Sequence, residues 1–564
     1  VFFNSLRIAA YLRSYIAPIV TGKGLPLRDN AFSRKEILFI LLIAIVCLVL
    51  FFYKLGQRPL WEYDEAMHAQ VAKEMLQRGD WCTPVFNGEN FYDKPVFHFW
   101  LVIGSYLLLG VNELAARLPS AMLGMLGALL VYVWARTLYG SFAALLSALV
   151  LATSVEYVVL SQNIIHDLAL SLFISIALFL FHRASRENGF TRITFVCFYA
   201  ALGGAVLTKG PIGLLLPGLI IFLYLLKTKQ WRLILNRNIV IGAAIFLTIA
   251  LPWYIIMALR HDDYLQAFLI KGNIARFFSR KSGHREPFYF YIQMLAAGFF
   301  PWSVFIPSAL YLHFQSFRRK KDNDSFFLLL AAVAPIIFFS LSRSKLPTYI
   351  LPVFPALAIL VGRFWEAGLR PEAGASWARH LKNCSLVFFF FILAVSGFGI
   401  VYVYVRYPLY TVQTVLGCAA LLFFAVMFLM LNRRGNTLSS FFSLVAMMVI
   451  IFTAAKIFVL PEVSHFKSAR ELAGRMKLLL PPGEPAVFYR DLRESVIFYS
   501  GRRAVVIETK EELAAYLSSP QPVFCLISIK TLDKIKQVLH SPYYLVDQEG
   551  YFALVSNRKP PDGN

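Results

Sequence analysis

Long apolar runs alternate with short polar breaks along most of this chain. The runs fall near 37–55, 116–138, 142–160, 167–182, 192–207, 211–226, 238–258, 292–312, 326–341, 348–362, 384–405, 411–431 and 438–460. Each approaches the roughly 20 residues that a helix needs to cross a bilayer. The pattern predicts a polytopic α-helical membrane protein with about thirteen transmembrane helices, since a helix satisfies its own backbone polar groups where no water can. A β-barrel would show short alternating segments instead. One further apolar stretch, 96–111, reads as a membrane-embedded or interfacial helix of the first long loop. Were it to span, every later side assignment would flip.

After residue 460 the pattern changes. Ala486–Tyr489, Ala504–Ile507 and Val523–Ile529 read as short strands, with helical stretches at Asp491–Ser500, Lys510–Leu517 and Thr531–Leu539. Tyr543–Asp547 and Tyr551–Ser556 predict a closing hairpin across Gln548-Glu549-Gly550. Alternation of this kind suggests a small α/β domain. Three parts are therefore expected: an N-terminal cytoplasmic or interfacial segment (1–36), a transmembrane catalytic part (37–460) and a C-terminal soluble domain (461–564). Residues 1–20 carry Arg7 and Arg13 in an aromatic, amphipathic stretch, which reads as an interfacial helix and not as a signal peptide.

Charge sharpens this picture. The chain is 58% hydrophobic and 15% charged, with 55 basic and 32 acidic residues. A net charge of +23 would suggest nucleic acid in a soluble protein. Here much of the excess sits in alternate short loops, at Arg183-Arg186-Arg192, Lys227-Lys229-Arg232-Arg237, Arg318-Arg319-Lys320-Lys321, Arg363-Arg370-Arg379-Lys382 and Arg433-Arg434. That is the cytoplasmic bias of membrane proteins, and it argues against nucleic-acid binding. The six cysteines form no CxxC pair, and only Cys82 and Cys525 fall outside the expected spans, leaving room for one bridge.

The opposite set of loops, including the long loops 56–115 and 259–291, holds six polar motifs. They are Asp64-Glu65, Tyr92-Asp93-Lys94-Pro95, His166-Asp167, Thr208-Lys209-Gly210-Pro211, His284-Arg285-Glu286-Pro287 and Ser344-Lys345-Leu346-Pro347. Ionisable groups at a membrane are costly, so their clustering on one side marks a site. Asp64 and Glu65 open a helical stretch and read either as helix caps or as a general base. Asp167 reads as a cap or as a second carboxylate opposing Asp64, whereas His166 reads as structural. Lys94, Lys209, Arg276 and Lys345 are cations against the side bias, and several converging cations suggest a phosphate. Tyr349 adds a hydroxyl four residues after Lys345. Asp93 and His284 are the candidate metal ligands, though no ligand spacing supports a metal and no cofactor is required. Walker, dinucleotide, GxSxG and HExxH signatures are absent.

Taken in order, Tyr63-Asp64-Glu65-Ala66, Gly79-Asp80-Trp81, Phe86-Asn87-Gly88, Tyr92-Asp93-Lys94-Pro95, Lys209-Gly210-Pro211, Pro252-Trp253-Tyr254, Arg276-Phe277 and Ser344-Lys345-Leu346-Pro347-Thr348-Tyr349-Ile350-Leu351-Pro352 resemble the lipid A aminoarabinose transferases. These are GT-C membrane glycosyltransferases, with protein O-mannosyltransferases as relatives. The likeness covers roughly residues 35–360. Ile270-Lys271-Gly272-Asn273 departs from the histidine- and glutamate-rich text of that family. The resemblance implies an undecaprenyl-phosphate-linked sugar donor and lipid A or a similar anionic glycolipid as acceptor. It also implies an active site on the periplasmic face of a bacterial inner membrane. Asp64 would lead catalysis with Asp167 and Glu65 beside it, and Lys94, Arg276, Lys209, Lys345 and Tyr349 would surround the donor phosphate. Transfer to protein Ser/Thr and transport of a lipid-linked sugar are the alternatives; the second predicts inverted repeats, and the chain has none.

Overall fold

The computed structural model describes residues 32–235, 237–275, 277, 286–370, 374–407, 410–536 and 543–559. Ten of its helices are long and apolar enough to cross a membrane, from Arg34–Phe52 to Thr437–Lys467. An eleventh span is formed if Phe290–Gly298 and Trp302–Lys320, bent by 117°, are taken as one. The expected runs 142–160 and 211–226 correspond to shorter helices, Ser141–Ala152 and Ile212–Thr228. The first of these runs breaks after Ala152, where the Thr153 and Ser154 hydroxyls donate to the Leu149 and Val150 carbonyls at 2.6 and 2.7 Å. The chain resumes as Val155–Leu160. The stretch expected to embed or span, 96–111, is the helix Phe97–Leu109. Its 13 residues extend about 20 Å, short of the roughly 30 Å hydrocarbon core.

The helices pack around one large apolar core running from Ile43 to Met448. The last span is fastened to the first by a single cation. Lys456 is buried, and its ammonium donates to the carbonyls of Leu50 at 2.7 Å, Val49 at 3.1 Å and Tyr53 at 3.2 Å.

Within the first long loop, β1 (Val85–Phe86) and β2 (Glu89–Asn90) form a small antiparallel hairpin. The C-terminal unit is a five-stranded sheet of β3 (Ala486–Tyr489), β4 (Ala504–Ile507), β5 (Phe524–Ser528), β6 (Tyr544–Glu549) and β7 (Phe552–Ser556). Its order is β4-β3-β5-β7-β6. The first three strands run parallel, while β7 is antiparallel to both neighbours, so the expected hairpin is present. Connecting helices Glu494–Ser500, Lys510–Leu517 and Ile529–Ile535 match the alternation read from sequence. Cys82 and Cys525 do not pair; all six thiols are free, and Cys525 lies inside the sheet.

This unit docks on the first long loop through polar contacts. The Asn87 side chain mimics a strand neighbour, donating to the Ala504 carbonyl at 3.0 Å and accepting from the Ala504 amide at 2.7 Å. Lys73 donates to the Phe498 carbonyl at 2.6 Å. The Leu60 amide donates to the Tyr499 hydroxyl at 2.7 Å, and that hydroxyl donates to Glu113 at 3.0 Å. The Glu62 carboxylate accepts from the amide and the hydroxyl of Ser495.

Candidate functional site

Asp64 and Glu65 open the helix Asp64–Arg78, where the helix dipole favours negative charge. They face opposite ways. Asp64 is exposed, whereas Glu65 is buried. The Glu65 carboxylate accepts from Arg117 at 2.8 and 3.0 Å, from Arg58 at 3.2 Å and from the Trp61 amide at 2.9 Å. Burial pushes the Glu65 carboxyl up, but the two guanidinium groups outweigh it and hold the acid below its ordinary value. Arg117 also donates to the carbonyls of Leu55, Arg58 and Pro59. Glu65, expected among the catalytic acids, is thus fully engaged inside the protein. It fixes the turn that presents Asp64. Arg58 and Arg117 escaped the sequence reading, although an arginine inside the apolar stretch 116–138 was a signal that it had a buried partner.

Lys94 forms an ion pair with Asp93 in the segment leading into the helix Phe97–Leu109. Both stand, with Asp64, within electrostatic reach of the His68 ring. This is the first group of site charges.

The second group lies at the start of the helix His166–Arg186. Asp167 is buried and pairs with Lys209 at 2.5 Å. The Lys209 ammonium also stands 4.6 Å from the centre of the Tyr349 ring. Gly210 makes this placement possible. It ends the helix Arg192–Lys209 with φ +77°, and a Cβ there would meet the Phe268 ring at 2.8 Å. His166 lies within electrostatic reach of Lys94 and Lys209 alike, so the two groups share one neighbourhood.

Lys345 is differently occupied. It is buried, and its ammonium donates to the Ser342 carbonyl at 2.5 Å and the Glu286 carbonyl at 3.2 Å. Burial lowers its pKa. Expected as part of a phosphate cradle, it ties the segment at Glu286 to the Ser342–Lys345 turn. Arg276 and His284 lie outside the described residues. Asp93 is held by Lys94, so the expected metal pair with His284 has no geometry in the described residues.

A cavity of about 560 Å³ opens at the second group. Asp167, Lys209 and Tyr349, with Asn273, Ser342 and Ser344, form its polar part. Leu170, Ile212, Leu215, Leu269, Phe277, Phe338 and Phe339 line most of the rest. An ion pair within a mostly apolar lining suits a ligand that is itself a phosphate on a hydrocarbon chain.

The family profile for dolichyl-phosphate-mannose-protein mannosyltransferases matches residues 93–256. An uncharacterised protein of Aquifex aeolicus is 30% identical over 84% of this chain and 88% of its own length. An undecaprenyl phosphate-alpha-4-amino-4-deoxy-L-arabinose arabinosyl transferase of Pseudomonas aeruginosa is 31% identical over 67% of each chain. The crystal structure of ArnT from Cupriavidus metallidurans bound to undecaprenyl phosphate superposes with a TM-score of 0.77 at 26% identity, covering 92% of this chain and 98% of that one. The chain therefore belongs to the undecaprenyl phosphate-aminoarabinose arabinosyl transferase family, polytopic membrane glycosyltransferases of the GT-C fold that use polyprenyl-phosphate sugar donors.

Proposed function

We propose that this enzyme takes a sugar of the 4-amino-4-deoxy-L-arabinose class from undecaprenyl phosphate and places it on lipid A or a similar anionic envelope glycolipid. The reaction faces the periplasm from a bacterial inner membrane, with residues 461–564 on that same side. The observation that carries the reading is the 560 Å³ cavity, lined mostly by apolar side chains and also by Asp167, Lys209 and Tyr349. The polyprenyl chain lies along the apolar wall and the phosphate meets Lys209.

In the transfer, an acceptor oxygen attacks the anomeric carbon and the bond from that carbon to the donor phosphate oxygen breaks. The leaving group departs as undecaprenyl phosphate, and Lys209 and Lys94 stabilise the charge that builds on it. Asp64, exposed at its helix N-terminus, accepts the proton of an acceptor hydroxyl; an acceptor phosphate brings no such proton. Asp167 holds Lys209 in place. A single displacement of this kind inverts the anomeric centre. Arg276 belongs to the same phosphate cradle by family likeness.

The match of residues 93–256 to the protein mannosyltransferase profile supports a second reading, transfer to protein hydroxyls. The test separates them. Purified enzyme is given an undecaprenyl-phosphate aminosugar with either lipid A or a Ser/Thr-rich peptide, and products are weighed by mass spectrometry. Addition to lipid A alone supports the first reading, and addition to peptide alone overturns it. Lys209→Ala is expected to raise the donor KM at least tenfold, with little change in acceptor KM.

A further inference from the structure

Three histidines lie between the two groups of site charges. His68, His98 and His166 are 3%, 0% and 0% exposed. The His68 and His166 ring centres are 4.7 Å apart, and those of His98 and His166 are 4.8 Å apart. Of their six ring nitrogens one has a partner: His68 Nδ1 faces the Ile164 carbonyl at 3.3 Å. The other five have no hydrogen-bond partner among the described residues. A buried polar atom left unpaired costs about 1–3 kcal/mol, and five gathered in one place ask for something that satisfies them. Burial also lowers the pKa of His68, more than nearby Asp64 and Asp93 restore it, so its free nitrogen offers a lone pair instead of a charge.

We infer that His68, His166 and His98 form a binding site for a divalent transition-metal ion of the zinc class. Neutral imidazole is the ligand such ions prefer. A metal-bound histidine commonly turns its other nitrogen to a backbone carbonyl, and His68 stands in that way against Ile164. Two imidazoles on one tetrahedral ion have ring centres roughly 5 Å apart, close to the two separations seen. His166 is the common neighbour. The three side chains do not yet bring one nitrogen each within 4.8 Å of the others, so an ion draws the outer rings inward by rotation about side-chain bonds. His465, Glu471 and Glu549 do gather that closely, but two of these three are exposed. Glu549 moreover already accepts the amides of Glu471 and Leu472 as a helix cap.

The placement gives the ion a structural task. His68 lies one helical turn after Asp64, His98 lies four residues after Lys94, and His166 precedes Asp167. Three of the segments that carry charges of the proposed site thus carry one histidine each, so a single ion would pin those three together.

The experiment is metal analysis of the purified full-length protein after growth in zinc-replete medium and dialysis against a weak chelator. About one zinc per chain is expected, with cobalt substitution giving the visible bands of a nitrogen-rich tetrahedral site. The zinc is expected to be lost in both His68→Phe and His166→Phe. Should either variant fail to fold, X-ray absorption on the wild-type metal still reads its ligands, and imidazole scattering is the expected result. A wild-type protein that holds neither zinc nor cobalt overturns the inference. So does zinc that survives both substitutions but leaves in Glu549→Gln. Metal content is read without the sugar donor, so failure here is separate from failure of the proposed transfer.

Discussion

Asp64 and Glu65 show how far identical chemistry can be divided by one residue of helix phase. The helix turn sends one carboxylate outward and the other into two arginines. With a hydroxyl acceptor, Asp64→Asn is therefore expected to lower kcat by about 10²–10⁴, the usual contribution of a general base, with an unchanged melting temperature in detergent. Arg117→Met is expected to act through stability. It leaves the buried Glu65 with Arg58 as its one guanidinium beside the Trp61 amide and costs about 3–5 kcal/mol, as loss of one partner of a buried pair does; a lower melting temperature would register it. The sequence revealed the residue types of the site because charges are conspicuous in a greasy chain. It did not reveal their partners. Lys345 looks the same in sequence as Lys209, yet one caps backbone carbonyls and the other faces a cavity. His68 and His98 drew no notice, because histidines in helices that meet only in the folded chain leave no periodic mark.

At the scale of elements, apolar runs located the helices well and their breaks poorly. The run 142–160 was legible as membrane-buried, but its interruption at Thr153-Ser154 was not, since Ser147 makes the same one-turn-back hydroxyl bond in the unbroken part of the run. The C-terminal strands were legible almost residue for residue, since short β-branched runs between turns have few other readings. How that unit meets the membrane part was not legible, because its contacts join residues some 400 positions apart, such as Asn87 with Ala504. One of these contacts is pH-sensitive. Burial and the neighbouring Glu62 carboxylate push Glu494 up to about 8. The folded form thus holds this proton more tightly than an unfolded glutamate, near pH 4.3. The stabilising contribution is complete below that value and is lost as pH rises through about 8. The hydrogen-exchange protection of residues 60–64 and 493–499, taken relative to the intrinsic rate at each pH, is expected to fall between pH 7 and 9, and Glu494→Gln to flatten that response.

For the whole molecule, the number of crossings decides which surfaces share a compartment. Asp64 and Lys94 belong to the first loop, which contacts the C-terminal sheet through Asn87 and Ala504, so single cysteines at Glu89 and Ser518 are expected to react with an impermeant thiol reagent from the same side. A cysteine at Lys320, in the basic end of the helix Ile306–Lys320, is expected to react from the other. Labelling of Glu89 and Lys320 from one side would overturn the topology. The Lys456 ammonium, buried against carbonyls of Val49, Leu50 and Tyr53, bears on how such a chain comes together. The opening helix receives that stitch only after some four hundred more residues have left the ribosome. Until then only earlier partners such as Gln162, which also donates to the Leu50 carbonyl, can hold that end, so Lys456 is the late latch on a joint already half closed.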